Sequence, residues 1–283
     1  MPVRSLSWLA DISARELRWQ SAWDEDTPPA MPVLPFVTQP LQPRLADWMR
    51  RIGVRRRVAA GVPLLPADRP VDHLVLLDKG ISARVLGRYG KAIGLALPGC
   101  IACGNLSFFS GQPCFGHYFS VTPCEIIAAP QDLLRRLLAL EEDLAWLLCT
   151  QFELNRQSDR LSFTMLSQLG AAERLRAFFL SWCVAFGRLE AGAEGDWIAA
   201  PAPLQRKFIS RVIDASGAFV NTELAAWNKD PAWESSRKGI RARTSWFSAC
   251  WEWIVRQEEP SRNARLPSFE EQARGFFARK SGP

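Results

Sequence analysis

One change of period constrains this chain more than any other feature. From about Arg57 to Pro130, short apolar runs are cut by turn signals: VPLL ends at PADRP, HLVLL at DKG, SARVL at GRYG and IGLAL at PG, with FSV and CEIIAA following. Short strands about 10 residues apart predict an antiparallel β-roll or barrel. After Pro130 the period becomes helical, with Leu134, Leu137, Leu138, Leu144, Leu148, Phe152, Leu161 and Met165 at helical spacing up to Leu169. This predicts a short helix and then a long one over about Leu140–Gln168. An apolar face of that length suits pairing with a symmetry mate, and two helices folded back on the roll is the alternative.

The flanks are less regular. Residues 1–30 carry a short amphipathic pattern (Leu6, Trp8, Leu9, Ile12, Leu17, Trp19). Pro28 to Pro43 reads as an extended linker or strand edge, Arg44 to Ile52 as a helix, and Arg55-Arg56-Arg57 as a basic run after it. Beyond the long helix, Ala171 to Arg188 reads as a further helix and EAGAEGD (Glu190–Asp196) as a loop at a domain boundary. A length of 283 residues allows two modest domains.

Charge separates those halves. The net charge is +6, and from Trp197 onward 14 Lys/Arg face 9 Asp/Glu, so nearly all the excess lies in the last third. Such a local excess suits a polyanion, since neutralised phosphates release counterions; a solvated basic surface is the plain alternative. Twelve tryptophans against two tyrosines favour packing or interface surfaces. The opening residues lack a signal-peptide apolar run, and no stretch approaches a membrane span of about 20 residues. The expected location is cytoplasmic, with the seven cysteines reduced.

Within the basic third, LQRKFISRVIDASGAFVNTELAAW (Leu204–Trp227) decides the functional reading. A helix from Gln205 to Val212 buries Phe208, Ile209 and Val212, and Ile213-Asp214-Ala215 makes a turn. Ser216 caps a second helix that buries Phe219, Val220 and Leu224. Two short helices on such a turn form a helix-turn-helix, whose second helix enters the major groove. Arg206, Lys207 and Arg211 are placed for phosphates, and Ser216, Asn221 and Thr222 for bases. Asn suits bidentate contact with adenine. Downstream, Ser235–Arg243 reads as a basic wing with Lys238, Arg241 and Arg243 near phosphates, and Trp246–Glu259 as an aromatic amphipathic helix.

The order of these parts resembles the Crp/Fnr family of bacterial regulators, over about Leu45 to Arg243. Ala59–Val85 is similar to the roll, with Gly61, Asp68, Asp72, Leu74, Leu77 and Gly80 at matching positions. Leu97–Phe109, Cys124–Leu138 and Gly170–Cys183 resemble the later strands and the helix before the DNA-binding domain. The resemblance implies an α+β chain: a cyclic-nucleotide-binding-like β-roll, a long dimerisation helix and a C-terminal winged helix-turn-helix. Its parts are an N-terminal extension and Pro-rich linker (1–43), the roll (44–138), the dimerisation helix (139–169), the winged domain (170–259) and a tail (260–283). It implies a homodimeric transcription regulator with double-stranded DNA as partner and RNA polymerase as a candidate further one.

Two departures bear on that reading. Where cyclic-nucleotide-binding members carry a glutamate beside a glycine and an Arg-Ser/Thr pair, this chain has Asn105 after Gly104 and Cys114-Phe115. A buried phosphate without a cation is strongly disfavoured, so cAMP is not the expected effector and no cofactor is assigned. In the second helix, Ser216–Thr222 lacks the arginine and glutamate with which relatives read G·C pairs, and the usual turn glycine is Asp214. Two rival readings are a regulator acting by protein contact alone and a small-molecule sensor using the roll.

Other signals are set aside. Cys100-x-x-Cys103 has the spacing of a zinc knuckle or redox dithiol but lacks a second tight pair. His73 and His117 are the only histidines, and there is no phosphate-cradling Gly-Lys loop or nucleophile elbow. No enzymatic activity and no metal are expected.

Overall fold

The computed structural model describes residues 33–65, 71–86, 91–105, 108–113, 116–193, 195–258 and 268–280. The amphipathic pattern of residues 1–30 lies outside them. Helix α1 (Pro43–Ile52) leads into β1 (Val54–Val58), β2 (Pro63–Leu65), β3 (His73–Lys79), β4 (Ser82–Leu86), β5 (Lys91–Ala96), β6 (Ile101–Cys103), β7 (His117–Ser120) and β8 (Cys124–Pro130). Helices α2 (Gln131–Leu140), α3 (Glu142–Gln168) and α4 (Ala171–Phe186) follow.

The roll is two four-stranded antiparallel sheets, ordered β1-β8-β3-β6 and β2-β7-β4-β5. The run HLVLL is continuous rather than alternating because its sheet is covered on both faces. Val75 and Leu77 face the roll interior, while Leu74 and Leu76 pack with Leu45 and Met49 of α1 and Leu134 and Leu138 of α2. The basic run Arg55-Arg56-Arg57 lies in strand β1, paired with β8 through Arg56↔Ile126 and its neighbours. Its side chains point to solvent from a sheet edge, where charge discourages stray strand pairing.

The described part of the proline-rich segment takes the strand-edge form rather than that of a linker, with Val37 bridging Leu95 and Pro40 bridging Cys100. Residues 33–41 form a buried strap between the roll and α3, with Leu34, Phe36 and Val37 almost inaccessible to solvent. On one side it bridges the roll: Thr38 N–H donates to Leu95 O at 2.8 Å and Leu95 N–H to Phe36 O at 2.8 Å. On the other, α3 presents Gln151, Asn155, Ser158 and Ser162, a polar stripe buried along one helix face. Gln151 Nε2 donates to Gln39 O (3.0 Å), Gln39 N–H to Asn155 Oδ1 (3.2 Å) and Phe36 N–H to Ser162 Oγ (2.7 Å). Ser158 Oγ lies 2.7 Å from Leu34 O and 2.6 Å from Val37 O. On this side the strap faces a helix rather than a strand, so side chains of α3 pair its buried N–H and C=O groups.

The C-terminal part is a winged domain. Strands β9 (Arg188–Glu190) and β10 (Trp197–Pro201) precede helices α5 (Arg206–Val212) and α6 (Gly217–Trp227), and β11 (Trp233–Ser235) and β12 (Gly239–Arg243) form the wing. The sheet order is β11-β12-β10-β9. Arg188 and Glu190 are therefore strand residues, not the end of a helix and the start of a loop. The tryptophans fill this domain: Trp227, Trp233 and Trp246 meet with centroids 4.6–5.2 Å apart, and Phe179 of α4 closes on Trp233 at 5.0 Å.

After a short 3₁₀ turn, α7 (Ser248–Glu258) carries the expected aromatic face. Residues 269–280 are not a tail: they form helix α8 (Phe269–Lys280), which buries Phe269, Ala273 and Phe277. Arg274 of α8 also pairs with Asp196, at 2.6 Å.

Candidate nucleic-acid interface and roll interior

The helix-turn-helix is built as its local chemistry directs. Ile209 and Val212 of α5 and Val220 and Leu224 of α6 are buried. Between the helices Asp214 adopts φ +52°, the left-handed conformation that a turn glycine would take at less cost. Arg174 of α4 clamps that turn, donating to Asp214 O at 3.0 Å. Ser216 Oγ accepts from Phe219 N–H at 3.0 Å, satisfying a first-turn amide of α6.

Arg206, Lys207, Arg211, Ser216, Asn221, Thr222 and Lys238 are all exposed. The structure joins two of them, since Arg206 Nη1 donates to Asn221 Oδ1 at 2.9 Å. Glu223, the only carboxylate of α6, instead accepts from Trp227 Nε1 at 2.9 Å. Lys238 sits in the turn between β11 and β12, at the tip of the wing.

Arg241 and Arg243 lie on the strand itself, half-buried, with their guanidiniums 4.9 and 5.3 Å from the Trp197 ring centre. Arg241 also binds Glu234 at 2.8 Å and Glu190 at 3.1 Å. The bond to Glu234 raises its pKa further. These pairs compete with any phosphate, a cost that sequence spacing did not reveal.

Inside the roll, Gly104 follows β6 with φ +94°, and a Cβ there would lie 2.4 Å from His73 O. Only glycine fits this site. Asn105 beside it lines a cavity of about 20 Å³ with Thr38, Arg84, Tyr118, Asn155 and Asp159. That volume admits about one water. Cys114 and Phe115 lie outside the described residues.

Sequence reasoning missed the ion pair in this interior, between Arg84 of β4 and Asp159 of α3, with side chains 11% and 17% exposed. Burial alone would lower the Arg84 pKa, but the neighbouring Asp159 raises it above the usual value. An arginine between Ala83 and Val85 in a short apolar strand was the available signal. The roll thus holds a cation after all, already neutralised by α3.

Cys100 and Cys103 are both buried. Burial pushes the Cys100 thiol up to about 11. Thiols so held are poor nucleophiles and poor ligands at neutral pH. Among the described residues no three metal-ligating side chains cluster, and no helix is long and apolar enough to cross a membrane.

No family model matches this sequence, and no curated protein does. Solved structures do match. FixK2 from Bradyrhizobium japonicum aligns with a TM-score of 0.56 at 14% identity, covering 68% of this chain and 92% of that one. A CooA variant from Carboxydothermus hydrogenoformans aligns at 0.58 and 12% identity, covering 74% and 90%. The c-di-GMP-responsive regulator CLP of Xanthomonas campestris aligns at 0.55 and 13%, covering 71% and 98%. The alignments span 90–98% of these neighbours' lengths, and this chain has the fold of the Crp/Fnr transcription regulators.

Proposed function

We propose that the protein is a homodimeric, DNA-binding transcription regulator that does not respond to cAMP. The observation that carries this reading is the exposed, capped helix-turn-helix, whose first helix presents Arg206, Lys207 and Arg211 to solvent. A first helix lying across the backbone uses such cations on phosphates, while the second enters the major groove. Lys238 at the wing tip adds a phosphate contact, and Ser216, Asn221 and Thr222 face the bases. Such a role places the protein in the compartment of the DNA, the cytoplasm.

Dimerisation through α3 is supported by what the helix leaves outside. Its inner face is spent on the strap and roll, yet Trp146 and Phe163 remain 42% and 46% exposed on the outer side. Large exposed aromatics on a 27-residue helix suit a partner helix. The strap supports the reading against cAMP. It occupies the space between roll and long helix, and a nucleotide there would have to displace Leu34, Phe36 and Val37 and break the Arg84–Asp159 pair.

The test is fluorescence anisotropy of the full-length protein with promoter fragments, with unlabelled competitor DNA and at rising salt. Discrete binding that survives competitor and weakens steeply with salt is expected. Equal affinity for all sequences would favour the protein-contact reading. Calorimetry with cAMP should show no heat of binding; micromolar affinity would overturn that part.

A further inference from the structure

We infer that α6 reads an A·T base pair through Asn221, and that Arg206 is a positioning residue that orients the Asn221 amide for adenine. This rests on the DNA-binding reading above and deepens it.

The chemistry of the exposed face carries the argument. Gly217, Ala218, Asn221, Thr222, Ala225 and Ala226 point outward from α6, and none is charged. Guanine is read by a cationic donor fork on O6 and N7, and cytosine by a carboxylate accepting from N4. Helix α6 supplies neither group to this face: Glu223 is turned back onto Trp227, and the neighbouring guanidinium of Arg206, on α5, is engaged with Asn221 Oδ1. What remains is one amide, matching the N6 donor and N7 acceptor of adenine, and the methyls of Ala218, Thr222 and Ala225, which suit the thymine C5-methyl.

The Arg206 contact makes that amide directional. A free asparagine side chain can swap its oxygen and nitrogen by rotating half a turn. A guanidinium only donates, so the 2.9 Å bond from Arg206 Nη1 holds Oδ1 toward α5 and fixes Nδ2 on the other side. Oδ1 keeps a second lone pair for adenine N6–H, and Nδ2 stays available for N7. Small side chains at 217, 218 and 225 let the helix backbone approach the base edges closely enough for so short a side chain to reach.

The experiment is selection of binding sites from random duplexes with the full-length protein, followed by anisotropy on the selected site. A half-site with an obligatory A·T pair is expected. Replacing its adenine with 7-deazaadenine, which lacks N7, should weaken wild type about tenfold, the scale of one bidentate contact, and leave Asn221→Ala unaffected. Arg206→Met should lose the preference for A·T at that position, and Arg206→Lys, which keeps a donor, should restore it.

A G·C-only half-site, or wild-type binding indifferent to 7-deazaadenine, would overturn the inference while leaving the DNA-binding reading standing. If Arg206→Met lowers affinity for every sequence equally and keeps the A·T preference, the positioning role is wrong. Absence of salt-dependent DNA binding by the wild type would instead overturn the proposed function itself.

Discussion

The backbone N–H of Phe36 donates to Ser162 Oγ at 2.7 Å, across a sequence separation of 126 residues. Phe36 stands at φ +67°, a conformation that a bulky residue adopts only when its surroundings enforce it. Leu95 N–H bonds its carbonyl and Ser162 its amide, so roll and long helix together hold it there. The strap is thus an integral layer of the sensor half. Replacing Ser162 with Ala leaves a buried amide without a partner, which costs about 1–3 kcal/mol. Urea titration should show a lower midpoint at unchanged slope, and an unshifted midpoint would mean that the strap contributes nothing to stability.

The Arg84–Asp159 pair predicts a different signature. Arg84→Met strands a buried carboxylate and should cost about 3–5 kcal/mol, whereas Arg84→Met with Asp159→Leu should recover most of that loss. Thermal melts of the two variants decide it. Equal destabilisation of the single and double variants would show that the stranded Asp159 carboxylate carries no cost.

Alkaline pH should weaken the fold. Burial pushes Cys100 up to about 11 and Cys250 to about 12, and Cys183 higher still, so the folded chain keeps these protons when the unfolded chain, near 9, has lost them. Their contribution is fully present below about pH 9 and is lost as pH rises toward the folded values. Stability should fall by about 1 kcal/mol per pH unit for each fully buried thiol across that window. Urea midpoints at pH 8 and 10.5 measure this, and Cys183→Ala should flatten the decline.

The turn of the helix-turn-helix makes a local prediction. Ser216→Ala removes the cap of α6 and should cost about 1 kcal/mol. Asp214→Gly relieves the left-handed backbone and should not destabilise, whereas Asp214→Ala keeps the strain and should. Paired chemical denaturation curves give the signs directly.

For the dimer, Phe163→Glu places a charge on the outer side of α3 while leaving its buried face intact. Sedimentation should show a shift from dimer to monomer, the melting temperature should fall and lose its dependence on protein concentration, and DNA affinity should fall with it. A wild-type protein that sediments as a monomer at all concentrations would overturn dimerisation through α3.

Much of the architecture was legible because local patterns and tertiary needs coincide. The turn-punctuated runs gave strands at VPLL, HLVLL, SARVL and CEIIAA, the helical spacing after Pro130 gave a short helix and a long one, and Ser216 marked the start of α6. Each signal depends on periodicity or on a cap, which neighbours in sequence supply. Helix α8 was not legible, because its apolar residues are only Phe269, Ala273, Phe276, Phe277 and Ala278 in a charged stretch, and they matter only once the winged domain offers a surface.

What the sequence by itself determined is the order of the parts and the local form of the helix-turn-helix, since turn chemistry, period and capping act over a few residues. Only the tertiary structure decided what the prolines do and where the charges go. Residues 33–41 lack local partners and find them on a helix more than 100 residues away. Arg84, Arg206 and Arg241 read alike as basic residues, yet one is buried against Asp159, one orients an amide and one is held by two glutamates. Long-range electrostatic pairing leaves no trace in spacing, because the partner can lie anywhere in the chain.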